Sequence, residues 1–322
     1  MKTSFLSIHS FIGILSSSSL SILFFLSIAS IYNIHAVTYD FNFAAVGDWG
    51  CNSNTDATVK GIANTKTTNK LGAAELVLGL GDYSYQPTAN CWLNKVASID
   101  DNMKITIGNH ENSAKTGFNQ YKKSFGLTSN AYYSFDFQNV HFIIMNTQTP
   151  YTAGSSQYNF IKDDLSKADN NDNINWIIVV MHEPFYTSPT SCKIKSCQGI
   201  GNLRDTYHPL FDTYKVDLVL GAHLHDYQRS FPLEYNSASS SKPIMTSKIP
   251  SKYNDPKGEI YVIVGTGGIN FHKIIGKNSY IVKQQGSFFG HLNVDITNKG
   301  QVLTAKFIQN NGKVFDAFSI TK

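Results

Sequence analysis

The sequence predicts an α/β fold with a largely parallel sheet, and three observations support this prediction. Short apolar or β-branched segments recur along the chain, and the first three end at Gly-Asp or Gly-Asn. A segment with helical spacing lies between the first two, which gives the order strand, loop, helix, strand. The most conspicuous polar motifs follow directly after predicted strands. In open α/β sheets this edge is where ligands bind.

The first part of the chain reads as a βαβ unit followed by a further strand. The three strands are predicted at Phe41 to Val46, Glu75 to Leu80 and Lys104 to Ile107. A helical pattern from about Asp56 to Lys70 connects the first two. These strands are therefore expected to pair in parallel.

The middle of the chain continues the alternation of strands and helices. A hairpin around Gln138-Asn139 is predicted first, then two helices and two more buried strands. In chain order these six elements are Tyr132 to Phe137, Val140 to Asn146, Ser155 to Lys167, Trp176 to Met181, Arg204 to Tyr214 and Val216 to Leu220.

After Arg229 the pattern changes to strands without intervening helices. Ser237 to Ser251 is polar and rich in serine, which predicts a loop. Four strands are predicted beyond it, at Ile260 to Val264, His291 to Ile296, Val302 to Ile308 and Val314 to Ile320. Neither an internal repeat nor a Pro/Gly linker is present, so residues 37–322 are predicted to form one domain.

The N-terminus has the pattern of a secretory signal peptide. Lys2 precedes an apolar run from Phe11 to Ile28, and a polar break then leads to Ile34-His35-Ala36. Cleavage after Ala36 is predicted, which makes residues 1–36 a signal peptide. The alternative is an uncleaved anchor, because about 18 apolar residues approach the length of a membrane span. Both interpretations predict that the rest of the chain is exported, and a cleaved chain needs no stable membrane contact.

The charge balance argues against a nucleic-acid partner. The formal net charge is +4, and the only arginines are Arg204 and Arg229. A nucleic-acid-binding surface usually carries a basic stripe rich in arginine. No nucleic-acid partner is therefore expected.

Four cysteines lie in the exported part, at Cys51, Cys91, Cys192 and Cys197. An even number in an exported protein favours disulfides, although four cysteines allow three pairings. We predict Cys192–Cys197, which closes a short loop, and Cys51–Cys91, which ties together the loops of Asp48 and Tyr85. A cysteine zinc site is the alternative, but the spacings do not match one.

Five short motifs follow predicted strands and are rich in residues that bind metals. They are Gly47-Asp48-Trp49-Gly50, Gly81-Asp82-Tyr83-Ser84-Tyr85, Gly108-Asn109-His110-Glu111, Val179-Val180-Met181-His182 and His223-Leu224-His225. Together they offer seven candidate ligands: Asp48, Asp82, Tyr85, Asn109, His182, His223 and His225. Such a set can hold two ions that share one carboxylate. Two ions about 3.5–4 Å apart clamp phosphoryl groups for in-line displacement.

His110 and Asn109 receive different predicted roles, because adjacent side chains rarely point into the same small space. Asn109 offers a neutral carbonyl oxygen and is predicted to be a ligand. His110 is predicted to face the substrate and to act as the catalytic group, with Asn109 also near the substrate. His208 lies in a helical pattern and is predicted to be structural.

The ordered motifs resemble those of the purple acid phosphatases, which belong to the calcineurin-like metallophosphoesterases. The resemblance covers roughly residues 41–232 and, more weakly, two later segments. Many relatives carry histidine two residues after the first aspartate; here Gly50 stands there, and Tyr85 supplies the ligand as in the purple enzymes. The implied fold is a four-layer α/β/β/α sandwich of two mixed sheets, with the metals at the strand ends.

The resemblance also implies the cofactors and the reaction. The first site would hold Fe(III) through Asp48, Asp82, Tyr85 and His225. The second would hold Fe(II), Zn(II) or Mn(II) through the bridging Asp82 together with Asn109, His182 and His223. The implied reaction is hydrolysis of a phosphate monoester by in-line attack of a metal-bound hydroxide, with His110 protonating the leaving group or orienting the ester.

Three departures from the family pattern stand out, and two other functions stay open. Ala222 separates Gly221 from His223, and the stretch from Ser188 to Cys197 lacks the histidine that many relatives carry there. The large N-terminal domain of some plant members is also missing, so the chain resembles the small type. A phosphodiesterase or nucleotidase on the same site is one alternative. An exported binding domain, in which metals only tie loops together, is the other.

Overall fold

The computed structural model describes residues 40–65, 74–113 and 115–322. The predicted signal peptide, residues 1–36, lies outside them, as do the last residues of the helix predicted to reach Lys70. All described residues belong to one compact unit. None of the helices in this described part is long and apolar enough to cross a membrane.

Fifteen strands form two mixed sheets within the described residues. In chain order the strands are β1 (Phe41–Val46), β2 (Leu76–Gly79), β3 (Met103–Ile105), β4 (Tyr133–Phe137), β5 (Val140–Ile144), β6 (Trp176–Val180), β7 (Leu218–Gly221), β8 (Tyr227–Glu234), β9 (Ile244–Met245), β10 (Lys252–Asn254), β11 (Glu259–Val264), β12 (Ile281–Gln285), β13 (Gly290–Thr297), β14 (Val302–Gln309) and β15 (Val314–Thr321).

The helices of the described part fall mostly between the strands of the first two thirds of the chain. They are α1 (Ser53–Ala63), α2 (Asn90–Val96), α3 (Asn109–Ser113), α4 (Lys115–Phe125), α5 (Ser156–Asp169) and α6 (Gly201–Thr213). A short 3-10 turn spans Lys195–Gln198. Asn52 caps α1, since its side chain accepts hydrogen bonds from the first-turn amides of Asn54 and Thr55.

The seven-stranded sheet has the order β10-β15-β14-β13-β1-β2-β3, and β1, β2 and β3 run parallel. The eight-stranded sheet has the order β12-β8-β11-β7-β6-β5-β4, with β9 beside β8. Its central strands β5, β6, β7 and β11 are parallel. The carboxyl ends of these parallel strands form the edge that carries the predicted ligands.

The two sheets pack face to face, and helices cover their outer faces. Aromatic rings meet between the sheets: Phe43 and Phe142 lie 5.4 Å apart, and Tyr227 and Phe307 lie 4.4 Å apart between ring centroids. On the other face of the eight-stranded sheet, alternate residues of β6 and β7 pack with apolar side chains of α5 and α6. Helix α1 packs against β13 of the seven-stranded sheet. This is the α/β sandwich of two mixed sheets that was predicted.

Predicted and observed elements agree for the buried strands and differ where patterns are short or polar. The three leading strands, the hairpin and the last three strands are found within a few residues of their predicted bounds. Helices α2 and α4 were not predicted. The segment after His225 is the long strand β8, where Arg229 binds the Asp316 carboxylate at 2.6 and 2.9 Å.

Both predicted disulfides are present. Cys51 is bonded to Cys91, and Cys192 to Cys197. The first connects the loop after β1 with the start of α2. The second closes a small loop between β6 and α6, so both crosslinks lie near the edge that carries the predicted ligands.

Candidate metal centre

The structure brings all seven predicted ligands to one edge of the two sheets. Asp48, Asp82 and Asn109 follow β1, β2 and β3, whereas His182, His223 and His225 follow β6 and β7. Because parallel strands present their carboxyl ends at the same edge, segments distant in sequence meet there. Asp48, His182 and Asp82 are almost completely buried, at 0%, 0% and 1% exposure.

A first cluster forms around the Tyr85 hydroxyl. Its Oη lies 3.0 Å from Asp48 Oδ1, 3.1 Å from His225 Nε2 and 3.4 Å from Asp82 Oδ2. His225 Nε2 is also 3.7 Å from Asp48 Oδ1. These four donors are the set that the resemblance to the purple acid phosphatases implies for Fe(III).

A second cluster forms around His182 and shares Asp82 with the first. His182 Nε2 lies 3.2 Å from Asn109 Oδ1 and 3.3 Å from Asp82 Oδ2. Asp82, His182 and His223 each place one donor atom within 4.8 Å of the others. The same carboxylate oxygen, Asp82 Oδ2, therefore borders both clusters, as a bridging ligand must.

Each of the three histidines has one ring nitrogen bound outside the cluster. The Nδ1 atom of His182 donates to the Leu80 carbonyl at 2.8 Å, and that of His225 donates to the Asn270 carbonyl at 2.8 Å. His223 Nε2 lies 2.8 Å from Ser196 Oγ. Such outer bonds fix the ring and its tautomer, so that the other nitrogen can accept a metal. The donor set therefore fits two metal ions.

Four of the seven candidate ligands have a left-handed backbone. Their φ angles are 56° at Asp48, 54° at Asp82, 53° at Tyr85 and 71° at His223. This conformation costs about 1–2 kcal/mol for a residue with a Cβ atom. Strain of this kind concentrates at functional sites, where the surrounding structure holds it in place.

Glycines beside the ligands allow the loops to approach each other closely. A Cβ atom at Gly81 would lie 2.5 Å from His182 Nδ1, and one at Gly108 would lie 2.2 Å from Asp82 Oδ1. A Cβ atom at Gly47 would lie 2.6 Å from the Cβ atom of Ala222. Side chains at these positions would thus displace the ligands or their loops.

The shifted glycine of the last motif has a structural counterpart. Gly221 ends β7, and His223 itself adopts the left-handed conformation that makes the turn. Ala222 is fully buried against the loop of Gly47. The departure at Ala222 is therefore accommodated without moving the imidazole of His223 away from the cluster.

Burial and mutual charge shift the pKa values of these side chains in the metal-free protein. Burial raises the pKa of Asp48 to about 7, with Asp82 acting in the same direction against His182. Burial and the charge of His182 lower the pKa of His223 to about 3. Burial also lowers the pKa of His182, but Asp82 and Asp48 outweigh it and raise that pKa to about 10. Cations bound here would favour the ionised carboxylates, because the ion would then be the largest local charge.

His110 lies at the opening of the site rather than inside it. Its side chain is 45% exposed, and its Nε2 atom is 3.9 Å from Asp82 Oδ2. The imidazole packs on the Tyr85 ring with centroids 4.2 Å apart. Asn109, in contrast, points at His182, so the two neighbours face different surroundings, which is the arrangement predicted from the sequence.

Three residues at the site have no role predicted from the sequence. Glu111 accepts hydrogen bonds from the amides of Asp82 and Tyr83, each at 2.8 Å, and from that of Gly108 at 3.0 Å. His272 stacks on His225 with centroids 4.1 Å apart. Ser196, noted above, contacts His223. Only Glu111 had a visible signal, because it ends the Gly-Asn-His-Glu motif.

His208 lies away from this centre. It is fully buried in α6, with Nδ1 2.8 Å from Tyr186 Oη and Nε2 3.0 Å from Glu259 Oε2. Glu259 begins β11, at the end of the strand opposite to the metal edge. This position agrees with the structural role predicted for His208.

Comparisons with known proteins agree with this geometry. The family model for the calcineurin-like phosphoesterases matches residues 41–227. Purple acid phosphatase 23 of Arabidopsis thaliana is 27% identical over 269 residues, covering 73% of this chain and 54% of its own. Purple acid phosphatase 21 of the same plant is 30% identical over 250 residues, covering 71% and 50%. The chain spans about half the length of the curated relatives it matches.

Solved structures show the same fold. The purple acid phosphatase PPD1 from yellow lupin (Lupinus luteus) seeds superposes with a TM-score of 0.73 at 19% identity, covering 88% of this chain and 54% of its own. GAP50, the anchor in the inner membrane complex of Plasmodium, superposes with a TM-score of 0.65 at 16% identity, covering 88% and 89%. At these identities the likeness concerns the fold alone.

Proposed function

The chain belongs to the calcineurin-like phosphoesterase family and is purple acid phosphatase-like, and we propose that it is a binuclear metal-dependent phosphomonoesterase. The observation that carries this proposal is the position of Asp82. Its Oδ2 atom lies 3.4 Å from Tyr85 Oη and 3.3 Å from His182 Nε2, between two donor clusters. A purely structural site needs neither two ions nor an exposed histidine at its mouth.

The two ions would be held by the seven predicted ligands. Asp48, Asp82, Tyr85 and His225 would bind the first, and Asp82, Asn109, His182 and His223 the second. When bound, such ions lower the pKa of water, polarise the phosphoryl oxygens and neutralise their charge. The chain's own contribution is to hold these donors rigidly and to keep bulk water from most of them.

His110 is the proposed catalytic group of the chain. Its exposed imidazole stands beside the bridging carboxylate, so it can meet an ester bound above the clusters. We propose that it orients the ester oxygen or delivers a proton to the departing alkoxide. Asn109 would contribute its amide to the same phosphoryl group. The segment from Ser188 to Cys197 supplies no second histidine, so His110 would act without one.

Tyr85 supports Fe(III) as the first ion. Burial and the neighbouring carboxylates Asp48 and Asp82 raise the pKa of the phenol well above its usual range in the metal-free protein. Only a strongly Lewis-acidic ion would make this phenol a tyrosinate ligand. For the second ion, with its amide and imidazole donors, Fe(II), Zn(II) or Mn(II) fit equally.

We also propose that the enzyme works outside the cytoplasm. The two disulfides favour an oxidising compartment. The predicted signal peptide in residues 1–36, followed by one domain from residue 37, points the same way. The expected substrate is a small phosphate ester, and neither a nucleic-acid partner nor stable membrane contact is required.

The test is a visible absorption spectrum with metal analysis and assays on phenyl phosphate and bis(p-nitrophenyl) phosphate. We expect two metal ions per chain, a charge-transfer band that Tyr85→Phe removes, and faster hydrolysis of the monoester. Tyr151→Phe, at a partly buried tyrosine outside the clusters, should leave the band intact. Faster hydrolysis of the diester would favour the phosphodiesterase. A chain that binds no metal and hydrolyses neither ester would contradict the proposal.

A further inference from the structure

Charge is distributed unevenly between the two ends of the sheets. No exposed carboxylate lies in the described loops that leave the metal-bearing edge. These are the loops after β1, β2, β3, β5, β6, β7 and β11. Their acids are the buried Asp48, Asp82 and Asp226, together with Glu183 at 9% exposure. The loops at the opposite edge instead carry exposed aspartates, among them Asp101, Asp172 and Asp255.

Two loops at the metal-bearing edge carry exposed lysines. Lys193 and Lys195 lie in the small loop closed by the Cys192–Cys197 disulfide, and Lys273 and Lys277 lie in the segment after β11. The two loops are joined by backbone contacts. Thr190 pairs with Ile274, and the Ser191 amide donates to the Lys273 carbonyl at 2.7 Å. We call residues 191–197 and 272–278 together the basic lip.

The basic lip lies directly beside the candidate metal centre. Ser196, next to Lys195, places its Oγ atom 2.8 Å from His223 Nε2. His272, next to Lys273, stacks on His225. The two lysine-bearing loops thus contact the candidate ligands through Ser196 and His272. Attraction between exposed charges acts over about one Debye length, about 8 Å in physiological salt.

We propose that the basic lip binds a second anionic group of the substrate. The preferred substrates would then be phosphate monoesters that carry a further phosphate or carboxylate group on the leaving alcohol. This inference rests on the proposed phosphomonoesterase function and adds the substrate class to it. The apolar side chains Ile194 and Ile275, 60% and 63% exposed, alternate with the lysines and offer contact for the carbon skeleton between the two groups.

The expected size of the effect follows from the exposure of the lysines. A single exposed ion pair contributes about 0.2–1 kcal/mol, because water and salt screen it. Several lysines along one edge, whose described loops carry no exposed carboxylate, act together on the approach and binding of an anion, by about 10- to 1,000-fold in rate. Removal of all four charges is therefore expected to lower kcat/KM on a substrate with a second anionic group at least tenfold. Removal of a single charge is expected to change it little.

The test compares two sugar phosphates that differ by one phosphate group. For the metal-loaded full chain, kcat/KM is measured on fructose 1,6-bisphosphate and fructose 6-phosphate by phosphate release. The lip variant carries Lys193→Gln, Lys195→Gln, Lys273→Gln and Lys277→Gln. The control variant carries Lys162→Gln, Lys167→Gln, Lys252→Gln and Lys257→Gln, which remove the same charge from exposed lysines in α5, in β10 and before β11.

We expect the lip variant to lose at least tenfold in kcat/KM on the bisphosphate and less than twofold on the monophosphate. The control variant should match the wild-type protein on both, and 0.5 M NaCl should remove most of the difference. Equal losses on both substrates, or the same loss in the control variant, would overturn the proposal. If the wild-type chain hydrolyses neither sugar phosphate although it cleaves phenyl phosphate, the lip proposal fails alone. If it cleaves none of the three, the phosphomonoesterase proposal fails as well.

Discussion

Glu111 is predicted to hold the bridging carboxylate in place without binding a metal itself. Its side chain is 2% exposed and accepts three backbone hydrogen bonds, from the amides of Asp82, Tyr83 and Gly108. Asp82 has a φ of 54°, so its loop needs such support to stay in the left-handed conformation. The test is Glu111→Gln, which keeps the size of the side chain but exchanges one acceptor for a donor.

The size of the destabilisation follows from the number of backbone N–H groups that lose their acceptor. A glutamine whose oxygen faces Asp82 and Gly108 keeps two hydrogen bonds and turns its NH₂ group towards the Tyr83 amide. One buried N–H is then unsatisfied, which costs about 1–3 kcal/mol. Glu111→Ala leaves all three N–H groups unsatisfied, so the cost rises to roughly 3–9 kcal/mol, comparable to the whole stability of many domains. Glu111→Gln is therefore the informative variant.

The assay is urea unfolding combined with metal titration. We expect Glu111→Gln to lower the free energy of unfolding by about 2 kcal/mol and to weaken metal binding at least tenfold. The matched control is Glu183→Gln, at a nearly buried glutamate beside His182 for which no bond to a backbone amide is found in the described structure. Wild-type metal affinity in Glu111→Gln would refute the positioning role, even if stability falls.

Three further predictions concern single side chains. His110→Ala should retain both metals and reduce kcat by about 10²- to 10⁴-fold on phenyl phosphate, since the proton donor is lost. Ser196→Ala should weaken metal binding by about tenfold in a metal titration, whereas Ser196→Thr should not, because only the hydroxyl holds the imidazole of His223. His141 lies between Asp164 and Asp136; burial lowers its pKa, but these hydrogen bonds outweigh burial and raise it. The stabilisation by protonated His141 is thus complete below the unfolded-state pKa near 6.5 and is lost as pH rises through the folded-state pKa. In urea unfolding, His141→Gln should therefore lower the free energy of unfolding by about 1 kcal/mol at pH 5.5 and by less at pH 9.

Each of these predictions has a contrary result. Metal loss in His110→Ala would mean that His110 and Asn109 exchange roles. Equal affinities for Ser196→Ala and the wild-type protein would make the contact with His223 incidental. A destabilisation by His141→Gln that grows with pH would show that the neutral imidazole is the stabilising form.

The strands that carry the ligands were predictable because each is a short apolar run ended by a polar motif. Sheet strands buried on both faces need such runs, and β6 has the sequence Trp-Ile-Ile-Val-Val. Helices α2 and α4 were missed because each is short or polar. Helix α2 contains Asn90, Asn94 and Lys95 among its seven residues. Such segments become helical through tertiary packing, here of Trp92 against Trp49 and Tyr83.

The surroundings of the ligands were harder to predict than the ligands. His272 follows His225 by 47 positions, and its stacking on that ring depends on how the loop after β11 folds back. Ser196 contacts His223 from the loop that lacks the histidine found in many relatives. Nothing in the sequence of that loop predicts this contact. Local patterns encode which residues end a strand; they do not encode which distant loop touches them.

The candidate ligands come from both sheets, and this has a mechanical consequence. Asp82 belongs to a loop of the seven-stranded sheet, whereas His182 and His223 belong to loops of the eight-stranded sheet. Ions bound among them would connect the two sheets at this edge. Separation of the sheets at this edge, as seen by hydrogen exchange of the β2 and β7 amides, should then slow when metal is added. Backbone amides at the opposite end of the two sheets, far from the ions, should exchange at the same rate with and without metal.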